Sequence, residues 1–102
     1  MILVIVTVEV KDAQRDRFLE EFAKIVPLVR AEAGCIEYGP AVDAETDIEG
    51  QVGPRADVVT IVEKWESLEH LKAHLTALHM LKYRPKVKPL LAQTRLQILK
   101  PV

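Results

Sequence analysis

Along the first ten residues apolar side chains fill both registers of an alternating pattern. Ile2, Val4, Val6, Val8 and Val10 fall on one side, and Leu3, Ile5, Thr7 and Glu9 on the other. Alternation predicts a strand, and apolar residues on both sides predict that both faces are buried. From residue 12 the period changes. Phe18, Phe22, Ile25, Val26 and Val29 recur at three- and four-residue spacings, which predicts a helix capped by Asp12 and running to about Ala33, where Gly34 would end it. Pro27 inside that helix removes one backbone hydrogen bond and predicts a kink or a broken turn.

Ile36, Tyr38 and Val42 suit a strand, but Gly39-Pro40 between them predicts an edge, a bulge or a bend. Residues 43–56 have no period and are rich in Asp, Glu, Gly and Pro. They read as a solvated hairpin connection with an acidic tip of Asp43, Glu45, Asp47 and Glu49, since the calcium-loop pattern is incomplete. Residues 57–66 alternate again, with Val59, Ile61, Glu63 and Trp65 on one face. Ser67 is placed to cap the next helix, where Leu68, Leu71, Leu75 and Leu78 predict the core face. Thr76 can restart a further helical segment, Pro85 and Pro89 cut it short, and residues 94–99 alternate as a last strand.

The order β-α-β-β-α(α)-β predicts an α+β fold of the ferredoxin-like, split βαβ kind, with a four-stranded antiparallel sheet and its helices on one face. The length of 102 residues fits one domain spanning 1–102. Helices on one side leave the other face of the sheet uncovered, so a second copy of the chain is expected against it as a homodimer.

Composition narrows the partners. With 14 basic and 15 acidic residues the formal net charge is −1, which leaves no basic excess for nucleic acid or an anionic membrane. The apolar N-terminus lacks a basic leader and is too short to span a bilayer. A single cysteine, Cys35, suits a reducing compartment, so a cytoplasmic location is expected.

The rare chemical side chains crowd into residues 63–83: the only Trp, all three His and one of two Tyr. Glu63 stands on an otherwise apolar strand face, where a carboxylate needs a partner or a pocket and desolvation raises its pKa towards the range useful for proton transfer. His70 and His74 share a helix face at a metal-compatible spacing, but Leu71 occupies the place where a zinc-protease motif requires Glu, so no metal site is expected from this pair. His74 near the leucine row reads equally as a boundary histidine bonded to a carbonyl or carboxylate. Trp65 reads as core, and His79, Met80 and Tyr83 form a polar-aromatic edge. No glycine-rich phosphate loop, cysteine frame or nucleophile elbow is present.

Several segments carry a resemblance: FAKIVPLV at 22–29, Gly34-Cys35 with Tyr38, Pro40, Val42 and Asp43, EKWES at 63–67, HLKAHL at 70–75, His79-Met80 with Tyr83, and RLQILKP near the end. On these the chain resembles the antibiotic-biosynthesis monooxygenase superfamily and, within it, the small bacterial quinol monooxygenases. The resemblance implies a dimeric α+β barrel and oxygenation of a hydroquinone or phenolic polycycle by dioxygen with no cofactor. It implies His74 as the group that binds or deprotonates a substrate hydroxyl, with Glu63 orienting a histidine or taking its proton. It further implies Trp65, Phe22 and Tyr83, with Met80, around the substrate ring, and His79 as a second hydrogen-bonding group. The position of the haem ligand in haem-degrading relatives falls at Arg84. A binding protein of the same fold without turnover is the alternative.

Overall fold

The computed structural model describes residues 1–102. Four strands and three helices follow in the order β1 (Ile2–Val10), α1 (Arg15–Arg30), β2 (Cys35–Ala41), β3 (Val58–Trp65), α2 (Leu68–Leu75), α3 (Leu78–Val87) and β4 (Leu91–Leu99), with a short 3₁₀ turn, Lys88–Leu90, before the last strand. The strands form one sheet in the order β2-β3-β1-β4, every neighbouring pair antiparallel. This is the expected ferredoxin-like α+β topology.

Register sorts the residues into two faces, because directly opposed residues of antiparallel strands share a face. Val4 opposes Glu63 and Ile98, Val6 opposes Ile61 and Leu96, and Val8 opposes Val59 and Thr94. Beneath the helices Val4, Val8, Val10, Val59, Ile61, Glu63 and Trp65 are buried together with Phe18, Phe22, Ile25 and Val29 of α1. On the opposite face Ile5 faces Val62 and Leu3 faces Leu99, and no helix covers them. Leu3, Ile5 and Val62 are only half-buried within the chain.

Several expectations need correction. Asp12 does not cap α1: the helix starts after Gln14, which makes no side-chain cap, and Ala13 lies at φ 61° in the turn before it. The helix also stops at Arg30, leaving Glu32 in the turn that leads to β2. Pro27 does not break α1, because it falls near the end, where few later turns depend on continuity. In the same way α3 runs through Pro85, and β4 begins at Leu91, earlier than the alternation from 94 suggested. β2 is the edge strand expected from Gly39-Pro40, and its register shift falls between Cys35 and Glu37. The acidic loop is a hairpin connection between β2 and β3, closed at its base by Arg55 Nε and Nη2 donating to Asp43 at 2.7 and 3.0 Å.

The leucine row is the largest departure. Leu71 is buried, but Leu68, Leu75 and Leu78 are exposed, Leu78 by 65%. Helical spacing marks an apolar face without saying what that face meets. Here α2 ends at Thr76, the chain turns at Ala77, and Leu75 lies beside an opening while His74 takes the core position.

Candidate active site

A cavity of about 660 Å³ lies between the helix-covered face of the sheet and the α2–α3 corner. Its floor is apolar, made of Val4 and Val8 of β1, Phe18 and Phe22 of α1, Leu71 and Met80. The mouth lies along β4, where Leu96 and Ile98 stay exposed, and Leu75, Leu81, Arg84 and Lys88 complete the rim. Arg84 ties the rim together by donating from Nη2 to the Leu75 carbonyl at 2.7 Å. Apart from the phenols of Tyr38 and Tyr83, the buried ionisable side chains on the wall of this apolar chamber are Glu63 and His74.

His74 is fixed on every side. Its ring lies 4.7 Å from that of Trp65 and 5.5 Å, edge-on, from that of Tyr38. Its Nδ1 is 2.9 Å from Glu32 Oε2, and its Nε2 is 4.0 Å from Glu63 Oε1. An ionised carboxylate only accepts, so Glu32 selects the tautomer with the proton on Nδ1 and leaves Nε2 with a lone pair. Glu32 is shared: His79 Nε2 meets the same Oε2 at 2.7 Å. This triple junction forms because the 31–34 turn packs against the corner where α2 ends and α3 begins.

Glu63 is held by one donor, the Trp65 indole N–H at 2.9 Å. Burial pushes its carboxyl above the ordinary range; the Trp65 hydrogen bond and nearby His74 oppose that shift, and Glu32 adds to it. Burial also pushes the phenols of Tyr38 and Tyr83 up, so both stay protonated and can act as donors. Phe22 stacks on Tyr38 at 5.4 Å and meets Tyr83 edge-on at 6.1 Å, giving one wall an aromatic lining.

The positions expected from sequence divide. His74, Glu63, Phe22, Met80 and Tyr83 line the cavity. Trp65 and His79 do not. Trp65 is fully buried behind His74, where its size fills the core and its N–H serves Glu63. His79 lies on the far side of Glu32, lining a groove between α1 and α3, because the break at Thr76–Ala77 turns α3 relative to α2. His70 is outside the site, its Nδ1 on Ser67 Oγ at 2.7 Å. Arg84 stands at the rim, so no histidine occupies that position.

Two residues of the site were not singled out from sequence. Glu32 follows a helix end and looks like any solvated glutamate, so it left no local signal. Tyr38 offered one: it is the apolar-facing residue of β2 opposite Glu63 in the register.

Comparison with known proteins places the chain in a family. The pattern of the antibiotic biosynthesis monooxygenase family matches residues 1–86. The chain is 38% identical over 103 residues to the probable quinol monooxygenase YgiN of Escherichia coli K12, covering 99% of this chain and 98% of that one. Among solved structures, a putative antibiotic biosynthesis monooxygenase from Nitrosomonas europaea superposes with a TM-score of 0.84 at 18% identity, covering 100% of this chain and 99% of that one. A protein from Pseudomonas aeruginosa superposes with a TM-score of 0.82 at 21% identity, covering 99% and 93%. At such identities these two structures speak for the fold.

Proposed function

Because the chain belongs to the antibiotic biosynthesis monooxygenase family, we propose that it is a cofactor-independent monooxygenase oxidising a hydroquinone or phenolic polycycle with dioxygen. The observation that carries this reading is the chamber itself: an apolar, aromatic-lined cavity whose wall holds one tautomer-fixed histidine and one buried carboxyl. The 38% identity to a probable quinol monooxygenase over nearly the whole chain supports the substrate class.

An electron-rich diol needs little from the protein beyond deprotonation and confinement. His74 Nε2 takes a hydroxyl proton, and Glu32 stabilises the resulting imidazolium from the other side. The phenolate passes one electron to dioxygen, and the radical pair recombines at a ring carbon while the apolar walls keep water out. One oxygen atom stays on the ring. The other leaves as water, taking up two hydrogens, and the product is a hydroxylated quinone. Phe22, Tyr83 and Met80 would hold the ring, and Glu63, 4.0 Å from His74 Nε2, would accept the proton that nitrogen takes up.

We further propose that the chain works in the cytoplasm as a homodimer forming an α+β barrel, with the uncovered sheet faces carrying Leu3, Ile5 and Val62 packed on one another. Sedimentation equilibrium at micromolar concentration checks this, and a stable monomer would defeat it.

Oxygen uptake with a panel of reduced quinones, after exhaustive chelation, tests the activity. Metal-independent uptake that His74→Ala lowers is the expected result. A substrate that raises the melting temperature without being consumed would replace the enzyme reading by a binding protein of the same fold.

A further inference from the structure

The junction of Glu32, His74 and His79 has a second chemical capacity that the oxygenation reading does not use. Glu32 Oε2, His74 Nδ1 and His79 Nε2 come from three different elements, and all lie within 4.8 Å of one another. Two imidazoles and a carboxylate make a three-ligand set that leaves a fourth, open position on a tetrahedral cation. We propose that these three side chains form a binding site for a divalent d-block cation such as zinc, and that its occupancy silences the cavity by taking His74 Nδ1 as a ligand.

The three ligand atoms, within 4.8 Å of one another, must settle at a metal's own spacing on loading. Ligand atoms on tetrahedral zinc stand about 3.3 Å apart, given metal–ligand bonds of about 2.0 to 2.1 Å. The two carboxylate–imidazole distances, 2.9 and 2.7 Å, must open by roughly half an ångström. Glu32 sits in a turn outside any helix or strand and can move by that much. A supporting carboxylate stands nearby. The second nitrogen of His74 faces the Glu63 carboxyl at 4.0 Å, and Glu63 is held by Trp65 at 2.9 Å. A carboxylate behind a ligating imidazole fixes the ring and raises its basicity.

The side-chain exposures of 3% for His74, 14% for Glu32 and 24% for His79 describe an approach from the His79 groove, away from the cavity. Lys24, Lys82 and Lys86 around that groove work against a cation, so micromolar rather than tighter affinity is expected. Nitrogen ligands favour zinc, copper or nickel over magnesium or calcium.

The silencing follows from the tautomer and rests on the proposed role of His74. Free of metal, His74 carries its proton on Nδ1 and offers Nε2. With Nδ1 ligated, the single proton of the neutral ring moves to Nε2, which then has no lone pair for a substrate hydroxyl.

Calorimetric titration of the chelator-stripped protein with zinc chloride tests the site, with cobalt(II) absorption reporting a tetrahedral environment. One zinc per chain is expected, weakened at least tenfold in Glu32→Gln and in His79→Ala and unchanged in His70→Ala. Melting curves check that each variant is folded. Absence of saturable binding, or affinity retained in both junction variants, would overturn the site. Oxygen uptake is expected to fall as zinc saturates the wild type and to ignore zinc in His79→Ala. Zinc bound with full uptake overturns the silencing. If no quinol is consumed at all, the calorimetry still decides the site separately from the reaction.

Discussion

Glu32 and His74 are 42 residues apart in the chain and 2.9 Å apart in the fold, joined from carboxylate Oε2 to imidazole Nδ1. In the proposed mechanism the pair supplies an acceptor that fixes a tautomer and a charge that supports an imidazolium. Replacing Glu32 by Gln keeps the size and removes the charge. Turnover with a reduced quinone is expected to fall about 100-fold, the lower end of what a positioned acid-base group contributes, while KM changes little. Glu32→Asp should recover part of the loss, and unchanged kcat in Glu32→Gln would remove Glu32 from the mechanism.

Trp65 matters for what it donates as well as for its bulk. In Trp65→Phe the Glu63 carboxyl loses its one hydrogen-bond donor inside the core. Leaving a buried acceptor unpaired costs about 1 to 3 kcal/mol, on top of the smaller ring's packing loss. Urea unfolding midpoints measure it, and a variant as stable as the parent would show that Glu63 finds another donor.

Glu63 gives stability a definite dependence on pH. Its folded-state pKa lies above the ordinary value of 4.5, chiefly because it is buried. As pH rises past that ordinary value the unfolded chain gives up its proton first, so the native state loses stability relative to it. The loss stops growing once pH exceeds the raised folded value. Glu63→Gln keeps the Oε1 acceptor for Trp65 and has no proton to lose. Its melting temperature should therefore gain on the wild type as pH climbs from about 4 and then hold a constant lead, as thermal melts across a pH series will show. A difference that is flat with pH contradicts the raised value.

Gly34 holds the turn that delivers Glu32. Its φ of +80° suits glycine, and a Cβ built there would stand 2.2 Å from His70 Cγ. Gly34→Ala should cost about 1 to 3 kcal/mol from the strained backbone, with the collision added. Combining it with His70→Ala should remove the ring's share of the collision, leaving the strain and the 2.7 Å approach of the residue-70 Cβ, so the double variant is expected to be more stable than Gly34→Ala alone. Denaturant unfolding of all four combinations isolates the ring's share.

Alternation along residues 2–10 and 58–65 and helical spacing around Phe18–Val29 were enough to read the topology, because local period reports which side of an element is apolar. Glu63 was legible for the same reason: a carboxylate in phase with Val59 and Ile61 had to be buried with them. Whether an apolar side meets a core or an opening is not a local property. The leucines of residues 68–78 kept helical spacing while Leu68, Leu75 and Leu78 came to lie exposed, Leu75 at the cavity mouth, because what a helix face meets is set by the placement of other elements.

Glu32 and His79 show the same limit at the site. The sequence around Glu32 carries no period and no motif, and the five-residue step from His74 to His79 spans a break in the helix. Only packing of the 31–34 turn against that break brings one carboxylate oxygen between two imidazoles. From the chain alone one can read the sheet, its helix-covered face, the buried carboxyl and the histidine near it. The direction of each imidazole, the partner that holds His74 and the placement of Trp65 behind the cavity wall depend on contacts between elements far apart in sequence, and the three-dimensional fold alone supplies them.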